Sequence, residues 1–280
     1  MYDIVSKARL SGNASRMALF CPPIARKAQA GQFVILRAFS HSERIPLTIH
    51  DHDPEAGTVT VVYQVVGAGT MELDALGEGD SLHDLAGPLG RPTATEGIHN
   101  ACVIGGGVGC AIAYPVAKKL RAQGSAVHSV IGFRNRDLVF LEEEFQKVSD
   151  LLMVMTDDGS HGRKGFVTGA LTELLERGET YDEVIAIGPL VMMKSVCAVT
   201  RAHGIRTTVS MNPVMVDGTG MCGGCRLTVG GEMKFACVDG PDFDGHLVDF
   251  DEVMDRNRMY EEFEKRTREE SCKLLQQMGG

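Results

Sequence analysis

The sequence predicts a multidomain β plus α/β protein: an N-terminal β-barrel, a parallel α/β nucleotide-binding domain, a small C-terminal cluster domain and a helical tail. Three observations predict it. Residues 1–97 hold short β-rich runs between Gly, Pro and Asp clusters. Residues 98–210 alternate apolar strands with helix-like segments. Residues 211–250 are rich in loops and glycine and carry three cysteines within sixteen positions.

In the first segment, Phe33-Val34-Ile35-Leu36 and Thr58-Val59-Thr60-Val61-Val62-Tyr63 read as strands, and several short strands at this spacing make a small barrel or sandwich. Gly69-Thr70 ahead of Met71-Glu72-Leu73-Asp74-Ala75-Leu76 predicts one helix, with Thr70 as its N-cap and Leu73 and Leu76 on one face. Gly87-Pro88-Leu89-Gly90-Arg91-Pro92 reads as a turn-rich linker.

In the second segment, strands are expected at 101–104, 127–131, 151–156, 184–187 and 207–209. Helices are expected over 111–120, over 169–177 and through Met193-Lys194-Ser195-Val196. Strands alternating with helices indicate a parallel sheet. The tail, 251–280, is charged and helical in pattern, with Met254, Met259, Phe263 and Leu274 among Asp, Glu, Arg and Lys. A solvated helix and a partner surface both fit it.

The chain has 280 residues with 44% hydrophobic content, room for two domains and a small third. No apolar run approaches the roughly 18 residues of a membrane-spanning helix. Met1 to Lys7 lacks the basic-then-apolar layout of a signal peptide, so the expectation is a cytoplasmic protein without membrane association. A net charge of −9 without a dense basic patch argues against nucleic acid as a partner. In a reducing compartment, clustered cysteines favour a metal or cluster site over disulfides. Cys102, Cys110 and Cys197 lie in apolar or helix-like stretches and read as small buried hydrophobes.

Gly105-Gly106-Gly107-Val108-Gly109 follows a strand and opens a helix. Glycines there let a pyrophosphate approach the backbone, beside unpaired N–H groups and the positive end of the helix dipole. A close strand-to-helix packing turn would use the same residues. Three later segments should end strands on the same edge: Arg134 with its neighbours, Thr156-Asp157-Asp158-Gly159, and Gly188-Pro189-Leu190-Val191-Met192. The carboxyl ends of strands form the ligand crevice of open α/β sheets.

The most specific feature is Asp217-Gly218-Thr219-Gly220-Met221-Cys222-Gly223-Gly224-Cys225 followed by Cys237, a D-x4-C-x2-C-x11-C spacing. A plant-type [2Fe–2S] site begins C-x4-C-x2-C with a later cysteine, and this chain keeps that order with aspartate in first place. The glycines permit a loop that wraps tightly and aims N–H groups at sulfur. A structural zinc with three thiolates is the rival, and the glycine bracketing counts against it. Asp239 is an alternative fourth ligand.

Taken together, these motifs resemble the electron-transfer subunit of dihydroorotate dehydrogenase, within the ferredoxin reductase superfamily. They are similar, more closely, to the small subunits of the NADH-dependent reduced ferredoxin:NADP oxidoreductase and sulfide dehydrogenase type. Aspartate at position 217 marks the latter, since the dihydroorotate type has cysteine there. The resemblance runs to about residue 250. It implies FAD on the barrel, with Arg44-Ile45-Pro46-Leu47-Thr48 as the flavin segment, Arg44 facing the phosphates and Thr48 near the reactive N5. Val66-Gly67-Ala68-Gly69-Thr70 resembles the pyrophosphate loop. Leu47 replaces an aromatic residue of the superfamily, Val108 a threonine, and Ile187 a cysteine near the nicotinamide.

The implied activity is hydride transfer from NAD(H) to FAD, then single electrons through the cluster. The implied partner is a larger flavoprotein with [4Fe–4S] clusters that resembles the small subunit of glutamate synthase, with ferredoxin involved indirectly. A dihydroorotate dehydrogenase partner and a zinc-stapled, non-catalytic module are the alternatives. Asp157-Asp158 after a strand favours NADH over NADPH, with Arg134 and Arg136 as opposing features.

Overall fold

The computed structural model describes residues 2–260 and 262–267. The first sheet is built from β1 (Tyr2–Arg9), β2 (Ala14–Phe20), β3 (Phe33–Arg37), β4 (Ile45–Asp53), β5 (Thr58–Gln64), β6 (Ser81–Leu82) and β7 (Asp84–Leu89). Its order is β6-β1-β2-β5-β4-β3-β7, all antiparallel, which makes the expected barrel-like unit. Alternate residues of β2, β3 and β5 (Met17 and Leu19, Val34 and Leu36, Val59, Val61 and Tyr63) point into one core. The linker expected at 87–92 is β7 up to Leu89. Proline is tolerated there because β7 is an edge strand whose pairing with β3 shifts register at this point.

One helix, α2 (Ala68–Ala75), crosses this unit, after a single-turn α1 (Pro22–Ala25). Gly67, not Thr70, is its N-cap. Thr70 stands three residues in, and its hydroxyl bonds back to the Gly67 backbone, the half of a capping box that a glycine N-cap permits. Leu73 is buried as expected, and Leu76 is buried at the C-cap.

Asp74 fastens α2 to the sheet. Its carboxylate accepts from Ser15 Oγ at 2.8 Å, Tyr63 OH at 3.1 Å and Arg9 Nη2 at 2.6 Å, with Lys7 Nζ at 3.3 Å. Burial pushes this carboxyl up, but the bonds from Ser15, Arg9 and Lys7 outweigh it and hold the pKa below the usual range. A depressed carboxylate stabilises the fold above the unfolded pKa of about 3.9 and loses that contribution as pH falls through the folded value. Asp74→Ala should therefore lower stability by about 2–3 kcal/mol at neutral pH, through the charge-assisted bonds it removes. Urea unfolding at several pH values checks this: the gap to the parent should narrow below about pH 4, and a constant gap would contradict it.

The second sheet holds β8 (Asn100–Gly106), β9 (Ala126–Phe133), β10 (Leu151–Thr156), β11 (Arg163–Lys164), β12 (Glu183–Ile187), β13 (Arg206–Ser210) and β16 (Asp242–Asp244). The order is β11-β10-β9-β8-β12-β13-β16, parallel except for β16. Helices α3 (Gly109–Ala122) and α4 (Glu142–Val148) cover one face. Helices α5 (Val167–Glu176) and α6 (Leu190–Ala202) cover the other. Successive residues of β8 separate accordingly, Val103 joining the first core and Cys102 and Ile104 the second. Cys21, Cys102, Cys110 and Cys197 are buried, and Cys272 lies outside the described residues.

Residues 211–250 are more regular than their composition predicts. They form the hairpin β14 (Arg226–Val229) and β15 (Glu232–Phe235), a single-turn α7 (Ala236–Asp239) and then β16. The β16 strand pairs with β13, so this segment contributes an edge strand to the second sheet. The tail begins as α8 (Phe250–Arg258), with Phe250 and Val253 buried, Met254 packed against the core, and Met259 and Phe263 exposed. Leu274 lies outside the described residues. Among the described residues, no helix is long and apolar enough to cross a membrane.

Candidate redox site

The carboxyl ends of four parallel strands stand side by side, with Gly106 opposite Gly132, Phe133 opposite Thr156, and Gly105 opposite Ile187. This lines up Gly107, Arg134, Asp157 and Gly188 on one edge. The order of connections reverses between β8 and β12, which is the switch point where such sheets bind ligands.

Most of the glycines there are needed for packing. A Cβ on Gly109 would strike the Ile187 carbonyl, and one on Gly106 would strike the Met192 sulfur. Cβ on Gly105 would fall 2.8 Å from the Cys110 backbone, and on Gly188 2.8 Å from Met192 Cε. Met192 and Pro189 thus close over the turn. Gly107 is different. It has φ of 55° and no heavy atom within 4 Å of a notional Cβ, so it is the open, left-handed residue beside the α3 N-terminus. Arg134 and Asp157 are both exposed.

On the barrel, Pro46, Leu47 and Thr48 pair with Ile35, Val34 and Phe33 of β3. Arg44, just before β4, is exposed and close enough to Asp84 and Asp217 to help depress both carboxyl pKa values. The Val66–Thr70 loop meets this segment through Glu43, whose Oε1 accepts from the Gly69 N–H at 3.0 Å. Glu43 was not foreseen at the start of α2, where a carboxylate is favoured by the helix dipole.

The strand carrying Thr48 also docks on the nucleotide unit. His50, two residues on and at a register shift in the pairing of β4 with β5, is buried, and its Nδ1–H donates to the Ala111 carbonyl of α3 at 2.8 Å. Burial lowers its pKa, partly offset by that bond. Asp51 pairs with Lys118 at 3.0 Å. His50 was not foreseen, because a lone histidine in a strand carries no signal of an interdomain contact.

Two of the three sulfurs of the cysteine loop meet. Cys225 and Cys237 place their sulfurs 3.2 Å apart. Cys222 is exposed, its sulfur accepts from the Gly224 N–H at 3.4 Å, and the Asp217 N–H also points at it. These N–H groups lower the Cys222 pKa. Burial, the Cys225 contact and its charge push Cys237 up to about 12. Among the described residues, no three of His, Cys, Asp and Glu are gathered as a metal-holding group. Three thiols and a carboxylate in one loop are donors of the kind an iron–sulfur cluster takes, so the donor set fits the expected group.

Asp217 receives Thr219 N, Thr219 Oγ1 and Met221 N at 2.9, 2.5 and 3.1 Å, all on Oδ2, and these bonds, led by Thr219, depress its pKa. Asp239 is engaged elsewhere, accepting from the Phe235 N–H at 2.8 Å. The loop lies against β3 and β7. Gly218, at φ of 79°, sits on Ile35, so closely that a Cβ would come within 2.6 Å of Ile35 Cδ1, and Ile35 pairs directly with Pro46.

A barrel-like sheet joined to a parallel α/β sheet, with a cysteine loop between them, defines an electron-transfer oxidoreductase of ferredoxin reductase-like fold with an iron–sulfur domain. The chain belongs to the family of dihydroorotate dehydrogenase B electron-transfer subunits. Residues 212–249 match the iron–sulfur cluster binding domain of dihydroorotate dehydrogenase B. The chain is 45% identical to the Thermotoga maritima homolog of the NAD(+)-type electron transfer subunit, over 94% of this chain and 93% of that one. It is 51% identical to an uncharacterized protein of the adh 3′ region of Clostridium beijerinckii, over 93% and 90%. Among solved structures, a chain of the NADH-dependent reduced ferredoxin–NADP oxidoreductase, solved for insight into flavin-based electron bifurcation, superposes with a TM-score of 0.91 at 44% identity. That match covers 96% of this chain and 97% of the other. The cytochrome b5 reductase domain of Ulva prolifera nitrate reductase shares the fold alone, at 16% identity and a TM-score of 0.61 over 73% of this chain and 92% of that one.

Proposed function

We propose that this chain is the NADH-oxidising small subunit of a ferredoxin:NADP oxidoreductase-type complex, using FAD and a [2Fe–2S] cluster. The observation that carries the reading is contiguity. The first turn of α3, which follows the glycine turn, is docked on β4 through His50 and Ala111, and β4 is one strand away from the cluster loop through Ile35 and Gly218. Bound FAD exchanges two-electron hydride chemistry for one-electron transfer, and the cluster accepts one electron at a time.

The protein's own part is positioning. Gly107 and the α3 N-terminus offer N–H groups to the nucleotide pyrophosphate, with Gly105, Gly106 and Gly109 keeping the turn tight. Gly188, Pro189 and Met192 wall the nicotinamide end, and Arg134 and Asp157 flank the ribose. Arg44 meets the flavin phosphates. Gly67, Gly69 and Thr70 form the second flavin contact, while Pro46, Leu47 and Thr48 line the isoalloxazine, with Thr48 near N5. Asp217, Cys222, Cys225 and Cys237 would hold the cluster.

The likeness to the ferredoxin–NADP oxidoreductase chain at 44% identity supports a larger partner subunit, and the partner proposed is a flavoprotein with [4Fe–4S] clusters. Asp217 in place of the first cysteine favours that complex over a dihydroorotate dehydrogenase partner. Purified protein should show flavin bands with added iron–sulfur absorption and should reduce an artificial dye with a nicotinamide donor. A colourless protein inert to both NADH and NADPH would overturn the reading.

NADH is expected as the preferred donor. Asp157 and Asp158 follow β10 and are exposed at the crevice edge, where a 2′-phosphate would meet like charge. We expect kcat/KM to favour NADH by about tenfold or more, as one unfavourable charge contact of roughly 1.4 kcal/mol would give. Asp157→Ser should narrow the ratio. A parental preference for NADPH would contradict this assignment.

A further inference from the structure

The matched cluster domain ends at residue 249, yet the helix that follows holds the cluster loop from outside it. Arg256 of α8 sends Nη1 to the Arg226 carbonyl at 2.7 Å and Nη2 to the Gly224 carbonyl at 3.3 Å. Those two carbonyls flank Cys225. The guanidinium therefore spans the peptide segment carrying one cysteine, with its side chain only 19% exposed.

Glu252, one turn earlier on the same face, completes the strap. Its Oε2 accepts from the Thr228 N–H at 2.9 Å, and its Oε1 lies 3.6 Å from Arg256. Asp249 caps the helix on the Glu252 N–H, while its own N–H donates to the Thr228 carbonyl at 2.9 Å. On its far side α8 is tied to α6 by Lys194 and Asp251 at 2.7 Å. The hairpin after Cys225 is thus fixed to α8, and α8 to the nucleotide-binding unit.

We propose that Arg256 is a positioning residue for the iron–sulfur cluster, which clamps the Gly224 and Arg226 carbonyls and so sets the Cys225 thiolate toward its iron. The proposal rests on the cluster reading above. Two consequences follow from the geometry. The planar fork bridges two carbonyls at once, which a single ammonium on a shorter stem does not reproduce. The fixed positive charge beside the Cys225 segment favours the reduced cluster, which carries one more negative charge.

The test uses the full-length protein purified without oxygen, as parent, Arg256→Gln and Arg256→Lys. Iron and acid-labile sulfide are counted, release of iron to bathophenanthroline is timed, and the cluster potential is read by EPR-monitored titration. In Arg256→Gln, iron should be released about tenfold faster, the effect of losing one charge-assisted bond, and the potential should fall. In Arg256→Lys, which keeps the charge, the potential should stay at the parental value while release remains faster than in the parent.

A merely structural contact would speed release without separating the two variants in potential, and that result would overturn the proposal. Parental release in Arg256→Lys would overturn it too, and this arm decides the matter if Arg256→Gln fails to fold. A parent without iron and sulfide would instead defeat the cluster reading, and this inference with it.

Discussion

Cys225→Ala protein is expected to retain about a tenth or less of the parental iron and sulfide, because a thiolate ligand is lost where its partner cannot compensate. Cys225 and Cys237 are buried with their sulfurs 3.2 Å apart, and among the described residues no third donor joins them in a metal-holding group. Cys237→Ala and Cys222→Ala should behave alike.

Asp217→Ala should be milder, leaving a cluster that assembles but bleaches faster, since a carboxylate is the weaker iron ligand. Asp217→Cys should assemble a four-thiolate site, because thiolate carries the same single charge. Its potential should differ from that of the parent. Iron, sulfide and spectra on these variants check the series. Full iron and an unchanged spectrum in Asp217→Ala would remove Asp217 from the ligand set.

Gly109→Ala is expected to damage the glycine turn of the nucleotide unit severely. The added Cβ meets the Ile187 carbonyl and the Gly188 Cα, backbone atoms that cannot rotate aside. Overpacking of this kind should cost about 3 kcal/mol or more and lower the melting temperature by roughly 6–12 °C. It also drives apart the two strand ends that form the crevice. Reduction of bound flavin by NADH should slow at least tenfold while iron and sulfide remain near parental. Gly107→Ala is the contrast: its left-handed φ costs about 1–2 kcal/mol, but nothing lies in the path of the methyl group. Stopped-flow flavin reduction and thermal melting on both variants check the pair. Parental behaviour of Gly109→Ala would mean that the turn is looser than its packing implies.

The two sheets were legible because their periodicities differ. Alternation in Thr58–Tyr63 marked a half-buried antiparallel strand, and the continuous apolar run at 101–104 marked a strand buried on both faces. The cysteine loop was legible from spacing alone, since cluster ligation fixes distances along the chain. What stayed hidden was held by long-range partners. Thr70 was misplaced as a cap because a hydroxyl that bonds backward from the third helical position reads, in sequence, like one that bonds forward from the cap. Pro88 signalled a turn because an edge strand with a register shift cannot be told from a loop without its neighbour. The β14–β15 hairpin was lost among glycines, although Val229-Gly230-Gly231-Glu232 is a two-glycine hairpin turn whose first and last residues pair. Glu43, His50 and Arg256 each touch a segment at least 26 residues away, and a charged or aromatic side chain carries no record of such a partner.

Electrons are proposed to pass from a nicotinamide, over a flavin held at β4, to the Cys222–Cys237 loop. EPR of the purified protein, frozen after anaerobic addition of NADH, follows that route. The account predicts that flavin absorption bleaches and that the signal of a one-electron-reduced [2Fe–2S] cluster appears, lost in Cys225→Ala while flavin bleaching persists. Flavin that bleaches with no iron–sulfur signal in the parent, or a protein that carries zinc in place of iron, would contradict it.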